Sequence, residues 1–182
     1  MKVLKKIAII TSILMFLSIV ISIVSSVNIQ KNINLATSLL KIGIYINFLL
    51  FILIFIGFII IGKKVNNRLI IVLSYILIVF NLLSLIMNLL LTYSLYTVVI
   101  NYIIQIFTLL FGILFAVGVI KLRRYFGALS ITTGVLIILQ YILSTLSRIL
   151  GGEGIISGSL SIIATILVII ILFKASNKFK KY

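Results

Sequence analysis

Apolar residues in this chain fall in long unbroken runs instead of alternating with polar ones. Six runs stand out, at 7–27, 42–62, 69–91, 98–120, 128–149 and 155–173. About 20 apolar residues carry an α-helix across the roughly 30 Å hydrocarbon core of a bilayer, so each run is long enough to span one. A transmembrane β-barrel needs shorter segments of alternating polarity, and the sequence has no such segments. The pattern predicts an all-α membrane protein, one domain over residues 1–182 built as a bundle of six transmembrane helices.

Two boundaries require argument. No charged residue occurs between Arg68 and Lys121, a length that one helix cannot use in a bilayer but two spans and a short turn can. The turn is expected in TYSLYTVVINY, where Tyr93, Tyr96 and Tyr102 suit the interfacial aromatic belt. The opening MKVLKKIAIITSILMFLSIVISIVSS has the basic start and small-residue end of a secretory signal peptide. Its apolar part, Ile7 to Val24, exceeds the roughly 7–15 residues usual there. That favours a retained first span; cleavage would leave five.

Between spans one and two lies the longest hydrophilic segment, NIQKNINLATSLLK. Ile29, Ile33, Ala36 and Leu40 would share one stripe of a helix there. Such a helix either rests on the membrane surface or extends span two outward.

Polar positions inside the spans are costly in lipid and mark inward faces. At about 100° per residue, Thr11, Ser18, Ser22 and Ser25 share one face of span one. Ser74, Asn81 and Asn88 share a face of span three, with Ser84 nearby. Asn101, Gln105, Thr108 and Gly112 do so in span four, and Thr133, Gln140, Ser144 and Ser147 in span five. The plainer reading is helix packing, with amides bonded between helices and small residues allowing close approach. The other reading is a polar lining for a solute, for which Asn81, Asn88, Asn101, Gln105 and Gln140 are the candidate residues. Amides both donate and accept hydrogen bonds.

Charge fixes the expected orientation. Lys2, Lys5 and Lys6 precede span one; Lys63, Lys64 and Arg68 join spans two and three; Lys121, Arg123 and Arg124 join spans four and five. Lys174, Lys178, Lys180 and Lys181 follow span six. With six spans these thirteen of the sixteen basic residues fall on one side, leaving Lys31, Lys41 and Arg148 on the other. Basic residues concentrate in cytoplasmic loops, so both termini are expected in the cytoplasm. The tail KASNKFKKY adds a candidate site for anionic lipid, with Lys174, Lys178, Lys180 and Lys181 each contributing about 1 kcal/mol near the surface.

Composition narrows the chemistry. The chain is 64% hydrophobic, has no Cys and no His, and carries a net charge of +15 with a single acidic side chain, Glu153. Thiol, disulfide and iron–sulfur chemistry are excluded, and a zinc or haem site lacks its usual ligands. A Ser–His hydrolase lacks its base. Basic residues scattered in short clusters between apolar runs do not form a nucleic-acid face. Glu153 sits in SRILGGEGIISGS, the outside turn between spans five and six, with Arg148 at the preceding helix end. Each has the sign that its local helix dipole favours, so the lone carboxylate reads as a helix-end residue. Gly154 and Gly158 make a GxxxG spacing that would let helices approach closely.

The stretch FGILFAVGVIKLRRYFGALSITTGVLIILQYIL, residues 111–143, resembles a segment common in small multi-span archaeal and bacterial membrane proteins of unknown function. The resemblance implies membrane residence and transfers no site residue. In size and span number the chain is also similar to substrate-capture subunits of energy-coupling-factor transporters; it carries no binding motif of theirs, so that likeness concerns fold alone.

The sequence thus leads to a multi-pass protein of the cell membrane without enzymatic activity, metal or cofactor. Its expected partners are membrane lipids and proteins, a second copy of itself included, but not nucleic acid. The first functional expectation is a membrane component acting through lipid or protein association. The alternative is a small-solute permease or substrate-capture subunit with an amide-lined site between spans three and four.

Overall fold

The structure, a computed structural model, describes residues 2–28, 32–90, 95–149 and 155–179, with the side chains of 88–90, 95–98, 148–149 and 155–157 outside that description. These residues form helices α1 (Lys2–Asn28), α2 (Ile33–Lys64), α3 (Arg68–Leu90), α4 (Leu95–Ile120), α5 (Arg123–Phe126), α6 (Ala128–Ile149) and α7 (Ile155–Lys178). All but α5 are long and apolar enough to cross a membrane. The chain is a multi-pass membrane protein, and its fold is an all-α bundle of six spanning helices.

Each long helix packs against the next in the order α1, α2, α3, α4, α6, α7, and α7 packs back on α1 to close a ring. Apolar side chains facing away from the ring keep the helical period. In α3 they are Val72, Tyr75, Val79, Leu82 and Ile86; in α6 they are Ile131, Val135, Leu139, Ile142 and Leu146. These stripes suit contact with lipid tails, which are as apolar as the side chains themselves.

Local sequence sets the helix ends. Asn32 caps α2, its side chain accepting from Leu35 N at 3.1 Å. At the other end of α2, Asn66 adopts a left-handed φ of 53°, and Asn67 N donates to Gly62 O at 2.9 Å. That is a Schellman-type stop with asparagine in the position usually held by glycine. The Asn67 side chain then accepts from Ile70 N at 3.3 Å and starts α3. Gly127, with φ 61° and ψ −140°, turns the chain from α5 into α6; that region of backbone space is essentially open to glycine alone.

The core is concentrated at the basic end, where the α2–α3 and α4–α6 turns meet the first residues of α1 and the last of α7. Leu4, Ile7, Phe55, Phe58, Ile61, Leu77, Phe115, Val119, Ile171 and Leu172 are buried together there. Phe115 stands edge-on to Phe55 and Phe58, with ring centroids 5.4 and 5.0 Å away, an arrangement favoured by the ring quadrupole. Two glycines let α4 and α6 approach closely. A Cβ on Gly112 would collide with the Tyr141 ring, and one on Gly134 would meet Ile120 and the Ala116 carbonyl oxygen.

One open alternative closes and two sequence expectations change. The hydrophilic segment before span two extends that span outward from Ile33 and is not a separate surface helix: α2 runs unbroken from Ile33 to Lys64. The turn expected in TYSLYTVVINY is narrower than that stretch, because α4 has begun by Leu95 and so contains Tyr96 and Tyr102; Tyr93 lies outside the described residues. At Gly158, among the described residues, nothing would lie within 4 Å of an added Cβ, so that half of the GxxxG spacing is no close contact. Gly154, Glu153 and the Arg148 side chain lie outside the described residues.

Candidate functional site

The polar faces of four helices converge on one level of the ring. Counting 1.5 Å per residue, Asn81 lies about 20 Å along α3 from the basic end, Gln105 about 22 Å along α4 and Gln140 about 18 Å along α6. Ser18, Asn47 and Ser161 lie about 24–26 Å along α1, α2 and α7 on the same count. With a hydrocarbon core of roughly 30 Å, this tier sits toward the membrane half away from the basic end.

Two cavities occupy that level. The larger, about 190 Å³, is lined by Phe51 of α2, Phe80, Asn81 and Ser84 of α3, Gln105 and Thr108 of α4, and Gln140, Tyr141, Ser144 and Thr145 of α6. The second, about 160 Å³, is lined by Ser18 of α1, Asn47, Leu50 and Phe51 of α2, and Ser161 and Thr165 of α7. Between them a gap of about 30 Å³ is bordered by Phe51, Gln140, Tyr141 and Thr165. Phe51 touches all three spaces and partitions the interior.

The hydrogen bonds show how the lining is satisfied. Gln140 Nε2 donates to Ser161 Oγ at 3.1 Å, bridging α6 and α7 beside the partition. Ser18 Oγ donates to Asn47 Oδ1 at 2.7 Å, bridging α1 and α2. Asn81 Nδ2 is taken by Leu77 O of its own helix at 2.8 Å, which leaves its carbonyl oxygen as an acceptor. Thr108, Thr145 and Thr165 likewise donate to carbonyls one turn back, a habit that satisfies the hydroxyl proton locally. The Gln105 amide borders the larger cavity and takes part in none of these bonds. The lining therefore offers amide donors and acceptors and hydroxyl acceptors, with no charged group among the described lining residues.

The structure brings Asn81, Gln105 and Gln140 together around one cavity. Asn101, one helical turn from Gln105, is half-buried and outside the lining. The Asn88 side chain lies outside the described residues. Sequence reasoning passed over Asn47 and Tyr141. Asn47 was legible as the one amide in the long apolar run of span two, whereas Tyr141 falls off the polar stripe and reaches the cavity by its length. Of the tail residues, Lys174 is exposed. Lys178 Nζ donates to Tyr125 O at 2.8 Å and lies 5.6 Å from the centre of the Tyr125 ring. Lys180 and Lys181 lie outside the described residues.

Compared with known protein families, curated proteins and solved structures, the chain matches none.

Proposed function

We propose that this membrane protein binds a small, uncharged, hydrogen-bonding solute in the tier of amides and hydroxyls, as a permease or a substrate-capture subunit does. The observation that carries this reading is the cavity itself: Asn81, Gln105 and Gln140, from three helices, border one space of about 190 Å³. If these amides served packing alone, they would bond one another across helices and leave no cavity. Only Gln140 makes a bond between helices; Asn81 bonds within its own.

The ligand class follows from what lines the space. An ionised solute would lose its hydration without meeting an opposite charge, which is costly in a low-dielectric interior. A neutral polyol, amide or similar molecule would exchange its water contacts for amide and hydroxyl groups. At roughly 30 Å³ per water molecule in the liquid, the space corresponds to about six waters, the scale of a small solute. The charge distribution supports a cytoplasmic basic end in the cell membrane, so the cavity would load from the outside. The alternative, a component acting through lipid or protein association, draws its support from the basic end.

Because the chain has no cysteine, single-cysteine variants report access without background. Gln105→Cys and Ser144→Cys in nanodiscs are expected to react with a membrane-impermeant maleimide, and Phe115→Cys to stay protected. A neutral solute found by thermal-shift screening should protect Gln105→Cys from labelling and lose its stabilising effect in Gln140→Leu. Protection of Gln105→Cys from the reagent in the ligand-free protein would sink the proposal.

A further inference from the structure

The basic end carries a second concave site. The turn between α2 and α3 and the turn between α4 and α6 face each other across a cleft of about 820 Å³, lined by Asn66, Asn67, Arg68, Lys121, Arg123, Arg124 and Tyr125. All four cations are exposed. No carboxylate lies among the described residues, since the only acidic side chain is Glu153. Topology signals explain the sign of these charges and the side on which they fall. They do not explain why two turns more than fifty residues apart in the chain bring their cations to one cleft.

The turns are also braced, which a mere charge signal does not need. On one wall, the left-handed Asn66 and the bond from Asn67 N to Gly62 O fix the start of α3. On the other, Gly127 holds the exit of α5 in a conformation closed to other residues. The end of α7 then clamps α5 from behind. Lys178 binds the Tyr125 carbonyl, and Phe179 packs against Tyr125 and Phe126 with ring centroids 6.3 and 6.4 Å away. Lys178 is thus used to hold the wall, while Arg123 and Arg124 are left free to face a ligand.

We infer that this cleft is a binding site for a phosphate-bearing anion. Guanidinium groups present planar pairs of N–H donors matched to phosphate oxygens, and lysine adds a point charge. Asn66, Asn67 and Tyr125, which carry neutral donor groups, border the same cleft. Arg68 is the first residue of α3 and Lys121 the first beyond α4, so the cleft lies at the membrane surface, the level of lipid headgroup phosphates. A phosphomonoester headgroup such as that of phosphatidic acid and a soluble phosphate share the chemistry that this cleft recognises.

The test uses the whole chain in nanodiscs of phosphatidylcholine with phosphatidic acid added, read by native mass spectrometry as retained lipid and by titration as affinity. The triple variant Arg68→Gln, Arg123→Gln, Arg124→Gln is expected to lose about tenfold or more in affinity for phosphatidic acid. Lys5→Gln, Lys6→Gln, Lys63→Gln removes the same charge from the same end outside the cleft and should lower affinity clearly less than the cleft triple if the cleft, and not net charge, binds. Replacing the three arginines by lysine keeps the charge and is expected to weaken binding severalfold through loss of the paired donors. Competition by inorganic phosphate identifies a soluble phosphate as the occupant, and failure to compete identifies the headgroup; either result supports the site. Equal loss of affinity in the two glutamine triples overturns it, as does full affinity in the cleft triple.

Discussion

A hydroxyl inside a membrane helix has two ways to satisfy itself, and most here take the local one. Thr11, Ser12, Ser22, Thr108, Thr133, Thr145 and Thr165 each donate to the carbonyl four residues back. Most described residues of the polar stripes are buried or half-buried, as a 3.6-residue period allows, but Ser22 of span one is exposed. The stripes could not tell which groups would be spent within a helix and which would remain for a neighbour or a ligand, since both choices use the same residues at the same spacing. Ser74 is the exception: it is fully buried, and its hydroxyl finds no partner among the described residues. A buried hydroxyl without a partner costs about 1–3 kcal/mol. Ser74→Ala is therefore expected to leave stability unchanged or raise it by up to about 1 kcal/mol, seen as an equal or higher unfolding temperature in detergent. A clear fall would mean that the hydroxyl has a partner after all.

At the scale of elements, two helices depart from what apolar length alone suggests. At 1.5 Å per residue α2 is about 48 Å long, well beyond a roughly 30 Å hydrocarbon core. With Lys63 and Lys64 at one surface and the helix upright, its first turns would project beyond the other. Ser25 of α1, donating to Ala36 O at 3.2 Å, ties that projection to its neighbour. A cysteine at Ser38, which is exposed, should react fully with an impermeant reagent added to the side away from the basic end; protection there would mean the segment is sunk in lipid. The sequence left this element open because the stripe of Ile33, Ala36 and Leu40 fits a surface helix equally well. Only the Asn32 cap and the packing of α1 decide between them. The contact of α4 with α6 has a sharper requirement. Gly134→Ala would set a methyl group 2.8 Å from the Ala116 carbonyl oxygen, a backbone atom that cannot swing aside. Overpacking of this kind costs about 1–3 kcal/mol, and the variant's midpoint in thermal or denaturant unfolding should fall accordingly. Gly134 stands a single residue from Thr133 on a face the sequence had marked as inward, yet nothing in the sequence said which helix that face would meet.

For the whole molecule, helix number and the gathering of charge at one end were legible, because lipid imposes both through length and loop composition. The ring order was not. It depends on side-chain fit between helices far apart in the chain, and apolar runs of Ile, Leu and Val are nearly interchangeable in that respect. The resulting interior is closely packed toward the basic end and holds its two cavities toward the other. Phe115→Ala removes two edge-to-face contacts from the packed part and is expected to destabilise the protein by about 3–5 kcal/mol. Phe51 is only half-buried between the two cavities, so Phe51→Ala should cost clearly less while opening one cavity into the other. Similar losses from both, measured by unfolding in the same detergent, would contradict a closed end and an open one.

The contact of α1 with α7 sets the order in which the molecule can be completed. Of the six spanning helices, α1 leaves the ribosome first and α7 last, so one flank of α1 stays uncovered in the lipid while the intervening helices are made. During that interval Ser18 and Asn47 have each other as partners, bonded across α1 and α2. That pair would give the first hairpin one polar contact matched within itself before the last helix arrives.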